Sequence, residues 1–301
     1  MAKPKIDLDN PVVAAGIQAY QRQAQLAHTC AAAKDDAVRP IYTLDERTQS
    51  VHHVGSCVLL SVGGQVFALS ASHVFDHVGS YQLLIGCGDR LHSLAGDRFS
   101  TKKGPSNTHA DDPIDASVFH ITAEVPRIVR SSALCPSDLD LTAAKRRPEF
   151  YVATGYRLSQ SRTTSKGHAA KLDRYPTIEL DEAHYLQGNR SRKWQLMLAF
   201  EEQVLLDGNW QTAPSIRGFS GGAMFRLPSV AVLPGLNPQA PPQVKLAAIL
   251  IERSKGVRTG IHSAAVGTRL GVHFGLIHKY LPELKFDNIL AEENERQMSS
   301  Q

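Results

Sequence analysis

The sequence predicts an all-β fold with a helix near each end, and three observations support this. After residue 50 the chain consists of short runs of β-branched and aromatic residues, separated by glycine, asparagine and proline. These runs follow one another without intervening helical patterns, which is typical of a β-barrel or sandwich. The 301 residues are about twice the usual domain size of roughly 150 residues, so we expect two packed lobes.

The chain begins with a predicted amphipathic helix over about Asn10–Ala33. Asn10 is a candidate N-cap, Pro11 takes the first helical position, and apolar residues follow at spacings of three and four. Such a helix either docks on the body of the protein or serves as an arm that binds a regulatory protein partner. A short helix is expected over Phe274–Tyr280, ended by Pro282.

Nine segments have the composition of strands, and two of them form a hairpin. Val54–Val62 and Gln65–Ala71 are joined by two glycines, the link typical of a tight hairpin turn. Three polar stretches are interpreted as surface loops: Thr101–Pro113, Ser159–Lys171 and the proline-rich Leu233–Gln243. The nine predicted strands are Gly55–Val62, Gln65–Ser70, Tyr81–Ile85, Ala116–Ile121, Phe150–Thr154, Trp194–Phe200, Gly222–Phe225, Val244–Ile251 and Ala264–Leu270.

The two lobes meet at a predicted connection where the strand pattern is interrupted. Between Pro126 and Arg147 the chain turns irregular, and strand composition resumes at Phe150. The predicted organisation is an N-terminal helical arm over 1–48, a first β lobe over 49–130, a linker over 131–148, a second β lobe over 149–272, and a C-terminal helix and tail over 273–301.

Composition and charge exclude several classes of protein. Hydrophobic residues make up 42% of the chain and charged residues 21%, as in ordinary globular proteins. The formal net charge is only +4 and the basic residues are dispersed, so we expect no nucleic-acid partner. No stretch approaches the roughly 18 consecutive apolar residues of a membrane span, and the first residues lack the apolar run of a signal peptide. We therefore expect no membrane association and a cytoplasmic location.

The four cysteines are far apart in the sequence, which favours free thiols over disulfides. They form no Cys-x-x-Cys pair, so neither a zinc knuckle nor a disulfide framework is indicated. Buried free thiols are the favoured interpretation, with a disulfide bridge as the alternative. The cysteines are Cys30, Cys57, Cys87 and Cys135.

The most informative motif is a serine between glycines, in Gly218–Gly222, followed by a predicted strand. A serine nucleophile must project from a tight turn while neighbouring backbone amides point at the oxygen that becomes negative. Ser220 is the candidate nucleophile, and the amides of Gly218 and Ser220 are the candidate oxyanion donors. The alternative is an ordinary glycine-serine loop, which the motif alone does not exclude.

A histidine and an aspartate occupy positions that suit the same chemistry. His73 follows an apolar strand, and neutral imidazole is the base that can take a serine proton near neutral pH. Asp115 begins another strand and can fix the tautomer of the imidazole. Asp111 and Asp112 are rivals in the same loop but lie before the strand. His73 can also be an ordinary core or surface residue, since the chain has thirteen histidines.

In order and spacing, these motifs resemble those of the chymotrypsin-like serine peptidases, especially their intracellular bacterial branch. Ser70–Val74 resembles the family's Thr-Ala-Ala-His-Val, Asp115–Phe119 resembles Asp-Ile-Ala-Val-Leu, and Gly218–Gly222 resembles Gly-Asp-Ser-Gly-Gly. The resemblance runs from about His53 to Leu284. It implies a double six-stranded β-barrel with the active site between the lobes, where the first lobe supplies the histidine and aspartate and the second the serine.

The activity that the resemblance implies is that of a serine endopeptidase acting on a protein or peptide through an acyl-enzyme, with no metal or organic cofactor. Where many members carry an aspartate in the specificity pocket, this chain has Pro214, so a preference for basic residues is not expected. Ser215, Ile216 and the strand containing Ala248 are predicted to wall the pocket, which suggests a small or apolar substrate residue.

Two other interpretations remain open. The chain can be a catalytically silent relative that acts as a protein-binding module, or a peptidase held inactive until a partner binds. Histidines that could bind a metal ion occur close together in the sequence, at His52, His53, His73 and His77. Their spacing does not match that of zinc ligands, so no metal is expected.

Overall fold

Two antiparallel β-sheets dominate the computed structural model. Within the part of the chain that it describes lie these two sheets, a two-stranded ribbon and four α-helices. The mostly β architecture predicted from the sequence is confirmed at this level. The described residues are 9–79, 81–122, 126–141, 149–164, 167–201, 203–206, 209–213, 215–227, 243–254 and 263–284.

Helix α1 spans Pro11–Ala32, as the sequence predicts. The side chain of Asn10 caps it by accepting a hydrogen bond from the Val12 amide at 3.0 Å. Only the last third of the helix is buried, at Ala27, Cys30 and Ala31. This part packs in the core formed with both sheets, so the helix docks on the body of the protein. Its role as a partner-binding arm stays a prediction.

The first sheet has seven strands in the order β5-β4-β1-β2-β3-β7-β6, and every neighbouring pair is antiparallel. The predicted hairpin joins β2 and β3, where Gly63 and Gly64 have φ angles of 56° and 78°. Left-handed φ at both positions is what this tight turn requires. The strands are β1 Val38–Asp45, β2 Ser50–Val62, β3 Gln65–Ala71, β4 Gln82–Cys87, β5 Arg90–Ser93, β6 Gly96–Ser100 and β7 Ala116–Ile121.

The second sheet has six strands in the order β10-β15-β14-β13-β8-β9. Its two ends meet, because an antiparallel bridge pairs Glu179, just after β9, with Leu198 of β10. The strands are β8 Phe150–Thr164, β9 Gly167–Ile178, β10 Gln195–Ala199, β13 Ala223–Leu227, β14 Lys245–Ser254 and β15 Ala264–Arg269; β11 Gln203–Leu206 and β12 Asn209–Thr212 form the ribbon. The other helices are α2 Arg127–Ser132, α3 Glu182–Gln187 and α4 Leu270–Tyr280.

All nine predicted strands occur, but two other expectations were wrong. The arm expected over residues 1–48 contains strand β1, which lies in the middle of the first sheet. This strand is hard to predict because it contains Pro40, and proline lacks the N–H that a central strand donates. Pairing of β1 with β4 covers Ile41–Leu44 and begins only after Pro40, so no hydrogen bond to β4 is lost. The polar stretch Ser159–Lys171, expected as a loop, continues β8 and β9 into a long hairpin.

Two short strands were not predicted, and one predicted loop lies almost wholly outside the described residues. Strands β5 and β6 were not predicted, because both are short and have no fully buried residue. The proline-rich stretch Leu233–Gln243 lies outside the described residues except for Gln243.

The predicted linker contacts both sheets in the part that the structure describes. Parallel bridges pair Leu134 with Leu60 of the first sheet, and Leu139 with Leu246 of the second. Buried Arg226 on β13 lies 2.6 Å from a carboxylate oxygen of Asp140 and 3.0 Å from one of Glu149. Burying these charges is tolerable because each has an oppositely charged partner. The connection is thus fixed to the second sheet beside β13.

Buried apolar side chains form three clusters. One lies mainly within the first sheet, one within the second, and one between the sheets together with α1 and α4. All four cysteines are free. Cys30, Cys57 and Cys87 are buried as predicted, whereas Cys135 is exposed beside the short 3₁₀ turn that begins at Pro136.

Candidate active site

His73 and Asp115 meet because β3 and β7 are neighbouring antiparallel strands. Ala71 at the end of β3 pairs with Ala116 at the start of β7. His73 lies two residues after Ala71, and Asp115 lies one residue before Ala116. The Ser72 amide donates to the Asp115 carbonyl oxygen at 3.1 Å, and the Ser72 hydroxyl donates to the Ala116 carbonyl oxygen at 2.6 Å. These bonds fix the two chain segments against each other.

The carboxylate of Asp115 holds the histidine through both of its oxygens. Oδ1 accepts a hydrogen bond from the His73 backbone amide at 2.9 Å, and Oδ2 lies 2.5 Å from His73 Nδ1. Asp115 has a φ of 49°, a left-handed conformation that aspartate tolerates better than most residues. The buried carboxylate thus orients the ring, with Nε2 as its other nitrogen.

The environment of His73 raises its pKa above the ordinary value of 6.5. Burial of the ring acts to lower the pKa, because it penalises the charged form. The hydrogen bond to Asp115 and the charges of Asp115, Asp76 and Glu252 act in the opposite direction and outweigh burial. The site therefore stabilises an imidazolium on His73.

Ser220 lies in the loop before β13 and enters the same cleft from the second sheet. Gly218 and Gly221 on either side have φ angles of 97° and 84°, which glycine adopts without strain. The Ser220 hydroxyl donates to the carbonyl oxygen of Ile251 at 3.2 Å. For the hydroxyl to donate to His73, it must rotate away from this carbonyl.

Hydrogen bonds fix the carbonyl groups of two peptides in this loop, and the N–H group of each peptide points in the opposite direction. The Arg217 carbonyl oxygen accepts from the Leu158 amide at 2.9 Å, and the Phe219 carbonyl oxygen accepts from the Gly222 amide at 2.6 Å. In a trans peptide the N–H points opposite to the C=O. The amides of Gly218 and Ser220 are therefore fixed in direction, and neither donates to any residue within the described ranges.

Ser56 of β2 ties this loop to the first sheet. Its amide donates to the Ser220 carbonyl oxygen at 2.7 Å, and its hydroxyl donates to the Gly218 carbonyl oxygen at 3.0 Å. The same hydroxyl accepts from the Tyr156 amide at 3.1 Å. The contact is tight, because a Cβ on Gly221 would lie 1.9 Å from the Ser56 carbonyl oxygen. Ser56 could not be predicted from the sequence, since nothing distinguishes a lone serine in a strand from any other.

The three candidate side chains line one cleft of about 550 Å³ between the sheets. Ser215 and Ile216 line it as well. Ala248 does not, because it is fully buried in the cluster within the second sheet. The later part of β14 forms that wall instead, with Leu250, Ile251, Glu252 and Arg253. Pro214 lies outside the described residues.

A second histidine–carboxylate pair lies beside the first. Buried His109 places Nδ1 2.6 Å from an Asp76 carboxylate oxygen, and its amide donates to the other oxygen at 3.0 Å. His109 Nε2 lies 3.0 Å from the Thr101 carbonyl oxygen. With both ring nitrogens engaged, His109 anchors the loop before β7 to the segment carrying His73. The pair was not predicted from the sequence, where Asp76 lies three residues after His73 but His109 lies far from both.

A metal-binding cluster and a membrane-spanning helix are both absent from the described part of the chain. It contains no group of three or more histidine, cysteine, aspartate or glutamate residues placed to hold a metal ion. His53, one of the clustered histidines, is buried and places Nε2 2.8 Å from the Gly55 carbonyl oxygen. No helix in the described ranges combines the length and the apolar character needed to cross a membrane.

Comparison with models of known protein families and with curated protein sequences finds no match for this chain.

We predict that the pKa of His73 lies above 6.5 and falls on Asp115→Asn, because that change removes the carboxylate charge that stabilises the imidazolium. NMR titration of the ring proton measures this directly. Glu252→Gln is the matched control, since its charge makes the smaller contribution. An equal or larger fall with Glu252→Gln would contradict the assigned cause.

Proposed function

We propose that this chain is a serine endopeptidase with a chymotrypsin-like double β-barrel fold, in which His73, Asp115 and Ser220 form a catalytic triad. The observation that carries the proposal is their arrangement in one cleft, with an aspartate-held histidine from one sheet and a serine between positive-φ glycines from the other. Two fixed backbone amides beside the serine complete the set of groups that acyl transfer needs. The cytoplasm is the proposed location.

In the proposed mechanism, Ser220 Oγ attacks the carbonyl carbon of the scissile peptide bond. His73 Nε2 accepts the hydroxyl proton, and Asp115 stabilises the imidazolium that forms. When the C–N bond breaks, the same proton passes to the leaving amine, and the acyl group remains on Ser220 as an ester. Water then repeats the sequence with His73 as base, which releases the acid and restores the serine.

The amides of Gly218 and Ser220 are the proposed donors to the oxyanion. They serve this role well because their peptide groups are already held by other hydrogen bonds, so no reorganisation is needed as charge develops. The chain supplies the nucleophile, the base and the oxyanion donors of these steps, and water is the second substrate. A pH-rate profile of this mechanism falls on the acid side as His73 becomes protonated.

One observation favours a second candidate, a catalytically silent or partner-gated relative. The hydroxyl of Ser220 is hydrogen-bonded to the Ile251 carbonyl oxygen, which withholds its proton from His73. A binding partner that shifts β14 would free the hydroxyl. The first test below separates an intrinsically active serine from this alternative.

We predict that a fluorophosphonate labels the wild-type protein once, with loss of fluoride, and that Ser220→Ala abolishes labelling. Only an activated serine reacts at a useful rate, and the substitution removes the nucleophile. Intact-mass spectrometry measures the adduct. In peptide hydrolysis the same variant should lose several orders of magnitude in rate, to roughly 10⁻⁴ or less.

The control for this test is Ser93→Ala, which changes an exposed serine outside the cleft and should label like the wild type. Labelling that survives in Ser220→Ala would refute the assignment of the nucleophile. A folded wild-type protein that stays unlabelled would support the silent or gated alternative.

We predict that Ser56→Ala slows acylation of Ser220 by about 10-fold or more, because the Gly218–Phe219 peptide, which lies between the two proposed oxyanion amides, loses the hydrogen bond that holds its carbonyl group. Single-turnover kinetics with an activated ester measures the effect. The loss should appear in kcat with little change in KM, since the oxyanion donors interact more strongly with the transition state than with the bound substrate. An effect confined to KM would show that Ser56 does not position the loop for catalysis.

A further inference from the structure

Arg217 presents a charge to the cleft that the triad does not use. We propose that the cleft selects a peptide with an acidic side chain beside the scissile bond, and that Arg217 is the residue that binds it. This inference rests on the proposed function. It differs from the expectation of a small or apolar substrate residue, which the neighbouring Ser215 and Ile216 suggest for the pocket itself.

The carboxylates that line the cleft are all engaged within the protein. Asp115 is bonded to His73 through both oxygens. Asp112 accepts hydrogen bonds from the Thr101 hydroxyl and, at 2.9 Å, from the Ile114 amide. Both oxygens of each carboxylate thus accept hydrogen bonds within the protein, which leaves fewer acceptor positions for a basic substrate residue.

Glu252 is the third of these carboxylates and forms an ion pair with Arg190. The Arg190 guanidinium also donates to the Pro113 carbonyl oxygen at 3.1 Å, which places it beside the segment that leads to Asp115. The positive charge of Arg190 opposes that of Glu252 and so weakens the attraction of this carboxylate for a basic substrate residue.

Two arginines of the described chain line the cleft, and one of them has its guanidinium packed against another side chain. The guanidinium of Arg253 lies over the ring of Phe200, 4.9 Å from its centre, and is thus engaged. Arg217 is exposed and its guanidinium has no hydrogen-bond or ion-pair partner among the residues the structure describes. Its backbone is nevertheless fixed, since its carbonyl oxygen accepts from the Leu158 amide at 2.9 Å.

The position of Arg217 places its charge next to the reacting bond. It directly precedes Gly218, whose amide is a proposed oxyanion donor, so its side chain starts within one residue of the scissile carbonyl. An extended peptide advances only about 3.3 Å per residue. The guanidinium therefore reaches side chains one or two residues from the scissile bond, and its planar fork matches a carboxylate in two parallel hydrogen bonds.

The test uses internally quenched peptides that differ only in having Glu, Gln or Lys at positions up to two residues on either side of the scissile bond. We expect at least one position where Glu exceeds Gln by about fivefold in kcat/KM and Lys is poorest. Arg217→Gln should remove this preference, and Arg217→Glu should reverse it to favour Lys.

Two further measurements make the result decisive. Arg127→Glu, a charge reversal on exposed α2 outside the cleft, should keep the wild-type preference. Binding of the same peptides to Ser220→Ala, followed by fluorescence anisotropy, should show the same order of affinities without any turnover.

The outcomes separate this inference from the proposed function. Hydrolysis with no difference between Glu, Gln and Lys overturns the inference and leaves the peptidase assignment intact. A charge preference in binding to Ser220→Ala, lost in the Arg217→Gln, Ser220→Ala double variant, supports the inference even if wild type hydrolyses nothing. If Arg217→Glu leaves the charge preference unchanged, another residue causes the preference, and the proposed role of Arg217 is overturned.

Discussion

The hydrogen bonds of Ser56 are the constraint on which the proposed active site depends. They are direct bonds from the first sheet to the backbone of the Ser220 loop, and they act on the two carbonyl groups at Gly218 and Ser220. Ser70 supports this contact, since its buried hydroxyl donates to the Ser56 carbonyl oxygen at 2.8 Å. His73 and Ser220 are carried by different sheets, and these bonds help to fix the distance between them.

Burial of an apolar side chain supplies the second anchor of the same loop. Phe219 is 2% exposed and packs in the cluster within the second sheet. A side chain of this size contributes about 1.5–3 kcal/mol when buried. Its amide also donates to the Ile216 carbonyl oxygen at 3.0 Å. The loop is therefore ordered by hydrophobic packing and backbone bonds, and the fixed Gly218 and Ser220 amides follow from that order.

Local patterns predicted most of the elements, and tertiary placement explains the failures. The Asn10 cap and the Gly63-Gly64 turn act within a few residues, so the sequence alone locates α1 and the β2–β3 hairpin. Strand β1 escaped prediction because Pro40 normally excludes a central strand, and only the paired sheet shows that its N–H is not needed. The β8–β9 hairpin escaped because its extension is polar and is held by pairing, not by burial.

In the candidate site, too, local motifs could be predicted from the sequence and tertiary contacts could not. Motifs with special backbone requirements, at His73, Asp115 and Ser220, could be found in the sequence, and the structure brings them into one cleft. Ser56 could not be found, since its importance comes from Gly218 and Ser220, more than a hundred residues away. Arg217 could not be found either, since only the structure shows that it lines the cleft and which charged groups lie beside it. Ala248 was wrongly predicted to line the pocket, because the composition of a strand does not show which part of β14 faces the cleft.

The most direct test of this account is a crystal structure of the fluorophosphonate adduct. We predict that the phosphonyl oxygen lies about 2.7–3.1 Å from both the Gly218 and Ser220 amide nitrogens, with the Ser56 bonds unchanged and His73 still held by Asp115. A structure in which the oxygen points away from these amides, or in which the loop has rearranged to reach it, would contradict the claim that the site is formed in advance.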